Sequence, residues 1–462
     1  MRVLASEVDF NTYDVIVAGS GLASYAMAKR LGVHGKSAIM LETGEAQYND
    51  DIQSDFAQIY GRGHLDGSHW PLHWVRAMGG TSAVWAGYCS PLIDRNFRQW
   101  PITRSDLDPY YKIAAGYLGR PDPFLTYSSA FEPGFVYRPI STEDPLRLIR
   151  EPQLYDQLPA TDLALGATLS HLHPREDRQG IEAISIYTLD GGTRRIDLRP
   201  GQVVVLAAGA MGNAQILLSS QSETGPAVGN ENDQVGRYLM EHPHFPDCAK
   251  LIGNGAFQFP TVPEGFGELT ALLEPDQDLY RQIGELEVSV ALYPGKFISE
   301  DPVETMFASK WGDGAVAYGI IVRAEMDAEP ENRVTVREGT DPAGLRKLRT
   351  DFHIGARSFR AVDTFLETLG ERLIAADTGR LRMSNEEIMF GVTGGGHTLG
   401  TTRMGANPKT SVVDADCRVH RYQNLFVAGS SVFASGGHAN PTLTIMALAA
   451  RLGDKLGVIN EV

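Results

Sequence analysis

The stretch from residue 13 to residue 42 limits the possible folds more than any other part of the chain. Tyr13-Asp14-Val15-Ile16-Val17-Ala18 is apolar and β-branched, the makeup of a short buried strand, and runs straight into Gly19-Ser20-Gly21-Leu22-Ala23-Ser24. An alanine-rich helical stretch covers 25–31. A second apolar run over 37–41 ends at Glu42, 21 residues beyond Gly21. Strand, glycine turn, helix, strand and distal acid, in that order, make the βαβ unit that receives a dinucleotide. Gly19 permits the tight turn, and Gly21 lets a pyrophosphate reach the helix N-terminus, where unpaired N–H groups point outward. Glu42 is then placed to accept hydrogen bonds from ribose hydroxyls. The sixth position is Ser24 instead of glycine, still small enough for close helix–strand packing. Without a nucleotide the same pattern is only a glycine-rich turn, and on its own it does not separate FAD from NAD.

The 462 residues leave room for about three domains or one elaborated α/β unit. Between 47 and 74 lie His64, His69 and His73. His69 and His73 have the spacing of helical zinc ligands, but Pro71 lies between them and no cysteine or carboxylate completes a set, so they read as histidines of a polar loop. Gly79-Gly80-Thr81-Ser82, continuing to Trp85, offers a small-residue backbone surface on which a cofactor can lie. A hairpin is expected over 180–196, a buried parallel strand over 203–208, closed by Gly209, and a helix over 211–219. From about Pro246 the pattern changes to strands over 285–292, 315–322, 333–336 and 350–354. Phe359, Val362, Phe365, Leu366, Leu369 and Leu373 then recur at helical spacing. Antiparallel strands with a covering helix predict a second layer beside the nucleotide unit.

Charge and cysteines exclude several classes. Lys and Arg number 41 against 57 Asp and Glu, a net charge of −16, with no basic run to follow a phosphate backbone or an anionic membrane surface. Cys89, Cys248 and Cys417 are isolated, which predicts neither a disulfide framework nor a zinc knuckle, as in a reducing cytoplasm. No apolar run has the 18 or so residues of a membrane span. Glu7 and Asp9 stand where a signal peptide would be apolar, and the first motif leaves no room for a cleaved leader. The expectation is a soluble cytoplasmic protein that binds neither nucleic acid nor metal.

The most informative strings are C-terminal. Gly394-Gly395-Gly396-His397-Thr398-Leu399-Gly400-Thr401 is followed by Ala428-Gly429-Ser430-Ser431, and then by Gly437-His438-Ala439-Asn440-Pro441-Thr442 opening an apolar helix. Proline suits the first turn of a helix, with Asn440 at or beside the cap, and the helix end favours an anion. With the Gly19 turn, the Gly79 loop, residues 203–209, Val235-Gly236-Arg237, His242-Pro243 and Asn332-Arg333-Val334, these strings resemble the glucose–methanol–choline (GMC) family of FAD-dependent oxidoreductases, in its pyranose oxidase and bacterial sugar dehydrogenase branch.

That resemblance implies an α/β fold. A discontinuous Rossmann-like FAD-binding domain (1–100, 160–245 and 394–462) would carry an inserted α+β substrate domain with connecting segments (101–159 and 246–393), built on an antiparallel sheet. It implies oxidation of an alcohol group of a sugar, glycoside or polyol, with His397 as base, Asn440 holding the substrate oxygen and hydride passing to flavin N5. The cofactor would lie against Gly19, Ser20, Gly21, Leu22, Ala23, Glu42, Gly79, Gly80, Thr81, Ser82, Leu169, Ala208, Gly209, Gly429, Ser430, Asn440, Pro441 and Thr442. Val84 occupies the place of the histidine that attaches the flavin in some members, so the FAD is expected to be non-covalent. His438 stands where a small residue is usual, and is either a substrate contact or a loop histidine. Arg403 is expected to brace its loop or pair with a carboxylate. The chemistry suits the residue types: a neutral imidazole can take a hydroxyl proton, and an amide N–H bonds more strongly as the oxygen gains charge. A flavin-containing lyase on the same fold, an oxidoreductase of a non-sugar alcohol, a pyridine-nucleotide dehydrogenase and a non-catalytic scaffold are the alternatives. The electron acceptor (oxygen, a quinone or a protein) stays open.

Overall fold

Six parallel strands carry the site. In spatial order they are Arg2–Val3, Thr161–Leu165, Ala38–Glu42, Val15–Ala18, Val203–Leu206 and Leu425–Val427. The central four-residue strands, VIVA and VVVL, are buried throughout, which is why they read as unbroken apolar runs and not as alternating ones. The computed structural model describes residues 1–65, 67–131, 134–141, 154–221, 225–255, 270–283, 286–296 and 298–459.

From Val15–Ala18 the chain turns into the helix Leu22–Val33, whose Leu22, Ala26, Met27 and Leu31 are buried. The helix Thr442–Val458 packs beside it, and Arg30 clasps Asp454 across the pair at 2.8 and 3.0 Å. The sheet is wound in both directions from Val15–Ala18, towards Ala38–Glu42 on one side and Val203–Leu206 on the other. In such sheets a ligand sits outside the carboxyl ends of the strands at the point of reversal. Gly19, Glu42, Ala208 and Gly429 are all at or just beyond the carboxyl ends of these strands.

The second layer is an antiparallel sheet ordered Gly379–Met383, Pro243–Gly253, Val316–Ala324, Val288–Lys296, Thr270–Pro275, Phe135–Ser141 and Ser129–Ala130, with Thr393–Gly394 also on Pro243–Gly253. The helix Ala356–Ala375 covers it and buries Val362, Phe365, Leu366, Leu369 and Leu373, the stripe expected from the sequence. The start of the strand expected over 285–292 lies outside the described residues, since Glu285 is not among them; the observed strand is Val288–Lys296. The expected hairpin forms from Ile181–Thr188 and Gly192–Asp197, with Ala167–Pro174 as its third strand.

One expectation is corrected. The strands Arg333–Thr340 and Arg346–Phe352 do not join the antiparallel layer; they pair with each other, and Arg346–Phe352 pairs in parallel with Ile59–Gly63. Val334, Leu348 and Phe352 are fully buried in the core around the parallel sheet, and that burial decides their partner. Among the described residues, no helix is long and apolar enough to cross a membrane.

Candidate active site

The first glycine turn is built by contacts that the sequence hinted at. Gly19 has a φ of +106°, and a Cβ there would lie 2.4 Å from the carbonyl oxygen of Ala207, so no larger residue fits. Ser24, the departure from the glycine pattern, donates its hydroxyl to the Gly19 carbonyl at 2.7 Å and so pins the turn it was expected only to tolerate. Gly21 differs from Gly19: the protein comes no nearer to its missing Cβ than 3.8 Å, at the Gly79 carbonyl, so the space beside it is open. The Ser20 hydroxyl joins the two glycine loops, donating to Glu42 Oε2 at 2.7 Å and accepting from the Gly79 N–H at 3.0 Å.

These loops border a cavity of about 520 Å³. All eighteen residues expected at the cofactor line it: Gly19, Ser20, Gly21, Leu22, Ala23, Glu42, Gly79, Gly80, Thr81, Ser82, Leu169, Ala208, Gly209, Gly429, Ser430, Asn440, Pro441 and Thr442. His397 lines it as well. Three helices, Leu22–Val33, Gly209–Ser219 and Thr442–Val458, begin at this wall. Their first-turn N–H groups lack intrahelical partners, and their positive ends face the space.

His397 and Asn440, 43 residues apart in the chain, meet with Nε2 and Nδ2 separated by 2.9 Å. The Asn440 side chain does not cap its helix, as its position beside Pro441 had suggested; Pro441 is the cap residue, and the amide is used elsewhere. Asn440 Oδ1 accepts from Arg323 Nη1 at 2.8 Å. Arginine has no acceptor, so the carbonyl of the amide must face it and the NH₂ must face His397. Nε2 of His397 is therefore the unprotonated nitrogen, and the ring proton sits on Nδ1. Burial pushes the His397 pKa well below its ordinary value, and the nearby His242, His244 and Arg323 add to that push against the opposing pull of Glu241. The imidazole is neutral at pH 7.

Behind the histidine stands Glu241, fully buried. Its Oε1 accepts the backbone N–H of His397 at 2.6 Å, and its Oε2 lies 3.1 Å from His69 Nε2. Burial alone would raise this carboxyl, but the His69 hydrogen bond, electrostatic interaction with the neighbouring His397 and His69 rings and the His242 N–H hold it at about 2. The rings of His242 and His244 lie tilted and edge-on to His397, with centroids at 5.0 and 6.3 Å, and burial lowers their pKa values to about 4 and about 3.

Several expectations about single residues change here. His69 and His73 are not solvated loop residues: the 3-10 turn Trp70–His73 brings His73 to the cavity wall and His69 onto Glu241. His438 is absent from the cavity lining; its ring is buried with Nε2 3.2 Å from Glu274 Oε1, and its backbone N–H donates to Glu287. Glu42 lines the cavity, but its carboxylate already accepts from Ser20 and from the Gly44 N–H at 3.0 Å, so it fastens the glycine turn as well as facing a ligand. Arg403, expected to brace its loop or pair with a carboxylate, donates to Gln99 at 2.8 Å and lies over the Tyr238 ring, and among the described residues it pairs with no carboxylate.

Sequence reasoning gave no role to Glu241, His244 or Arg323. His242 and His244 share a face of an extended strand, and Arg323 is a single charge at the end of the apolar strand Val316–Ala324. Those two patterns were the available signals.

Residues 328–449 match the family model described as GMC oxidoreductase. Along almost the whole chain the sequence is similar to 6'''-hydroxyparomomycin C oxidase of Streptomyces lividus, 26% identical over 95% of this chain and 90% of that one. It is also similar to paromamine 6'-oxidase of Streptomyces fradiae, 25% identical over 96% and 91%. Residues 328–449 thus carry the C-terminal domain of the GMC oxidoreductases. In solved structures the GMC fold recurs in pyridoxine 4-oxidase from Mesorbium loti, with a TM-score of 0.64, 16% identity and 96% and 99% of the two chains covered. GMC oxidoreductases bind FAD. The residues present fit that cofactor: the space beside Gly21 stays open, three helix N-termini face it, and the buried indole N–H of Trp85 on the same wall has no hydrogen-bond partner among the described residues.

Proposed function

We propose that this GMC oxidoreductase oxidises an alcohol carbon of a sugar, glycoside or polyol to a carbonyl, with His397 as the base and Asn440 holding the substrate oxygen. The observation that carries the reading is the 2.9 Å approach of His397 Nε2 and Asn440 Nδ2 at the wall of the cavity. The names of the near full-length relatives, both oxidases, agree with it.

Bound FAD supplies the acceptor for the two electrons that leave the carbinol carbon as hydride. The chain's own residues handle the oxygen. A hydroxyl entering between the two side chains gives its proton to the Nε2 lone pair while its oxygen accepts from Nδ2. Arg323 fixes the amide orientation that makes both contacts possible, and Glu241 anchors the His397 backbone. Negative charge grows on the oxygen as the proton leaves, so the amide bond strengthens towards the transition state. The low proton affinity of the buried imidazole keeps it ready to accept at neutral pH.

In this reading residues 1–100, 160–245 and 394–462 hold the FAD, and 101–159 and 246–393 shape the substrate side. The cofactor is non-covalent, on the evidence of Val84 in the loop before Trp85, and denaturation in acid should release all yellow colour to the supernatant. Three isolated, buried thiols suit a reducing cytoplasm. The test of function is an anaerobic screen of sugars and alcohols for bleaching of the bound flavin, followed by admission of air. A protein that binds FAD and is bleached by none of them is not an alcohol oxidoreductase.

A further inference from the structure

Arg323 lies on Val316–Ala324, directly opposite His244 on the neighbouring strand, and both residues line the cavity beside His397. Only 5% of it is exposed. One guanidinium nitrogen, Nη1, is spent on Asn440 Oδ1 at 2.8 Å, and among the described residues Nε has no hydrogen-bond partner. Among the described residues no carboxylate is within ion-pairing distance of Arg323. Four buried acids have partners of their own: Glu241 pairs with His69 and the His397 N–H, Glu274 with Arg138 at 2.8 Å, Glu287 with Arg95 at 3.4 Å, and Glu325 with the Glu287 N–H at 3.0 Å. Arg95 and Arg138 each have a carboxylate; Arg323 has none.

A buried cation without a counter-charge is costly to the folded protein, and burial does depress its pKa. Orienting Asn440 needs only a hydrogen-bond donor, which a neutral side chain could provide. A full positive charge, kept dry and facing the reacting pair, matches an anion that arrives with the substrate. We propose that the alcohol taken by this site carries a carboxylate, held by Arg323 beside His397 and Asn440, so that the substrate is a sugar acid or polyhydroxy acid. The proposal rests on the alcohol-oxidation reading and narrows it.

The test uses the FAD-loaded protein and two kinds of probe. Cyclohexanecarboxylate and its amide, which have no alcohol to oxidise, are titrated against the visible spectrum of the flavin. Glucuronate against glucose, and gluconate against sorbitol, are compared for anaerobic bleaching. The carboxylate is expected to bind at least tenfold more tightly than the amide, and each acid to half-saturate at least tenfold below its neutral counterpart. Arg323→Met should abolish both preferences, and Arg323→Lys should keep part of them. Equal binding of carboxylate and amide to the wild-type protein overturns the proposal, whether or not either variant folds. Bleaching by neutral sugars without any preference for acids overturns it too, and leaves alcohol oxidation standing. Preference for the carboxylate with no bleaching by any alcohol supports the anion site and overturns the oxidation reading on which the substrate class depends.

Discussion

Asn440→Asp is the sharpest test of the proposed chemistry, because it changes one donor and one charge at constant size. In the wild type the amide offers its carbonyl to Arg323 at 2.8 Å and its NH₂ to His397 at 2.9 Å. A carboxylate keeps the first contact and reverses the second, turning an acceptor towards the imidazole. Arg323 is present in both proteins, so the electrostatic change is that of one added negative charge near His397. At about 4 Å and an effective dielectric of about 20 it favours the imidazolium by about 4 kcal/mol, roughly a thousandfold in proton affinity. Independently, loss of the N–H that meets the developing alkoxide costs about 10²–10³ in rate. Stopped-flow reduction of the flavin under anaerobic conditions, followed from pH 5 to 9, separates the two effects. The plateau should fall by the second factor, and the acid limb should move to higher pH by the first. An unchanged acid limb, or a plateau within tenfold of wild type, would refute the tautomer and the roles assigned to both residues.

Further outcomes follow from the same geometry. His397→Ala should retain bound FAD and lose about 10²–10⁴ in the rate of flavin reduction by substrate, while the acid limb of the wild-type rate should fall well below pH 6.5, where burial has moved this imidazole. Gly21→Ala should leave thermal stability of the cofactor-free protein nearly unchanged, since its Cβ meets the protein only at 3.8 Å, yet weaken FAD binding at least tenfold; Gly19→Ala, 2.4 Å from a carbonyl oxygen, should lower the melting temperature as well. Glu241→Gln should destabilise the fold by about 3 kcal/mol at pH 7, because a carboxyl held at about 2 instead of its usual 4.5 favours the folded state above the unfolded pKa. That advantage is lost as pH falls from about 4.5 through about 2, so the gap between variant and wild type in urea unfolding should narrow at pH 3, and a constant gap would remove Glu241 as the anchor.

The sequence made the local elements legible because their signals are local. The apolar run at 13–18, the glycine turn and the acid at 42 lie within thirty residues of one another, and the stripe from Phe359 to Leu373 has one period throughout. His397 and Asn440 were legible as residue types in recognisable strings. What supports them was not, because it depends on long-range pairing. Glu241 and the His397 N–H are 156 residues apart, and Arg323 reaches Asn440 only because its strand is in register with the one that carries His244. Pro71 argues against an α-helix through His69 and His73, but it suits the first turn of the 3-10 helix Trp70–His73 that forms there, and local pattern does not show where that turn points its histidines. The strands at 333–340 and 346–352 show the same limit: alternation revealed that they were strands, while the choice of sheet lay with Ile59–Gly63 far upstream.

The sixth strand of the parallel sheet comes from residues 425–427, and the helix that covers Leu22–Val33 from residues 442–458. On the ribosome, the backbone of Val203–Leu206 therefore waits as a naked edge, and the first helix waits with an uncovered apolar flank, until residues 425–458 have emerged. A chain that stalls or terminates before residue 425 keeps both surfaces open, and is prone to aggregate instead of forming a smaller working protein.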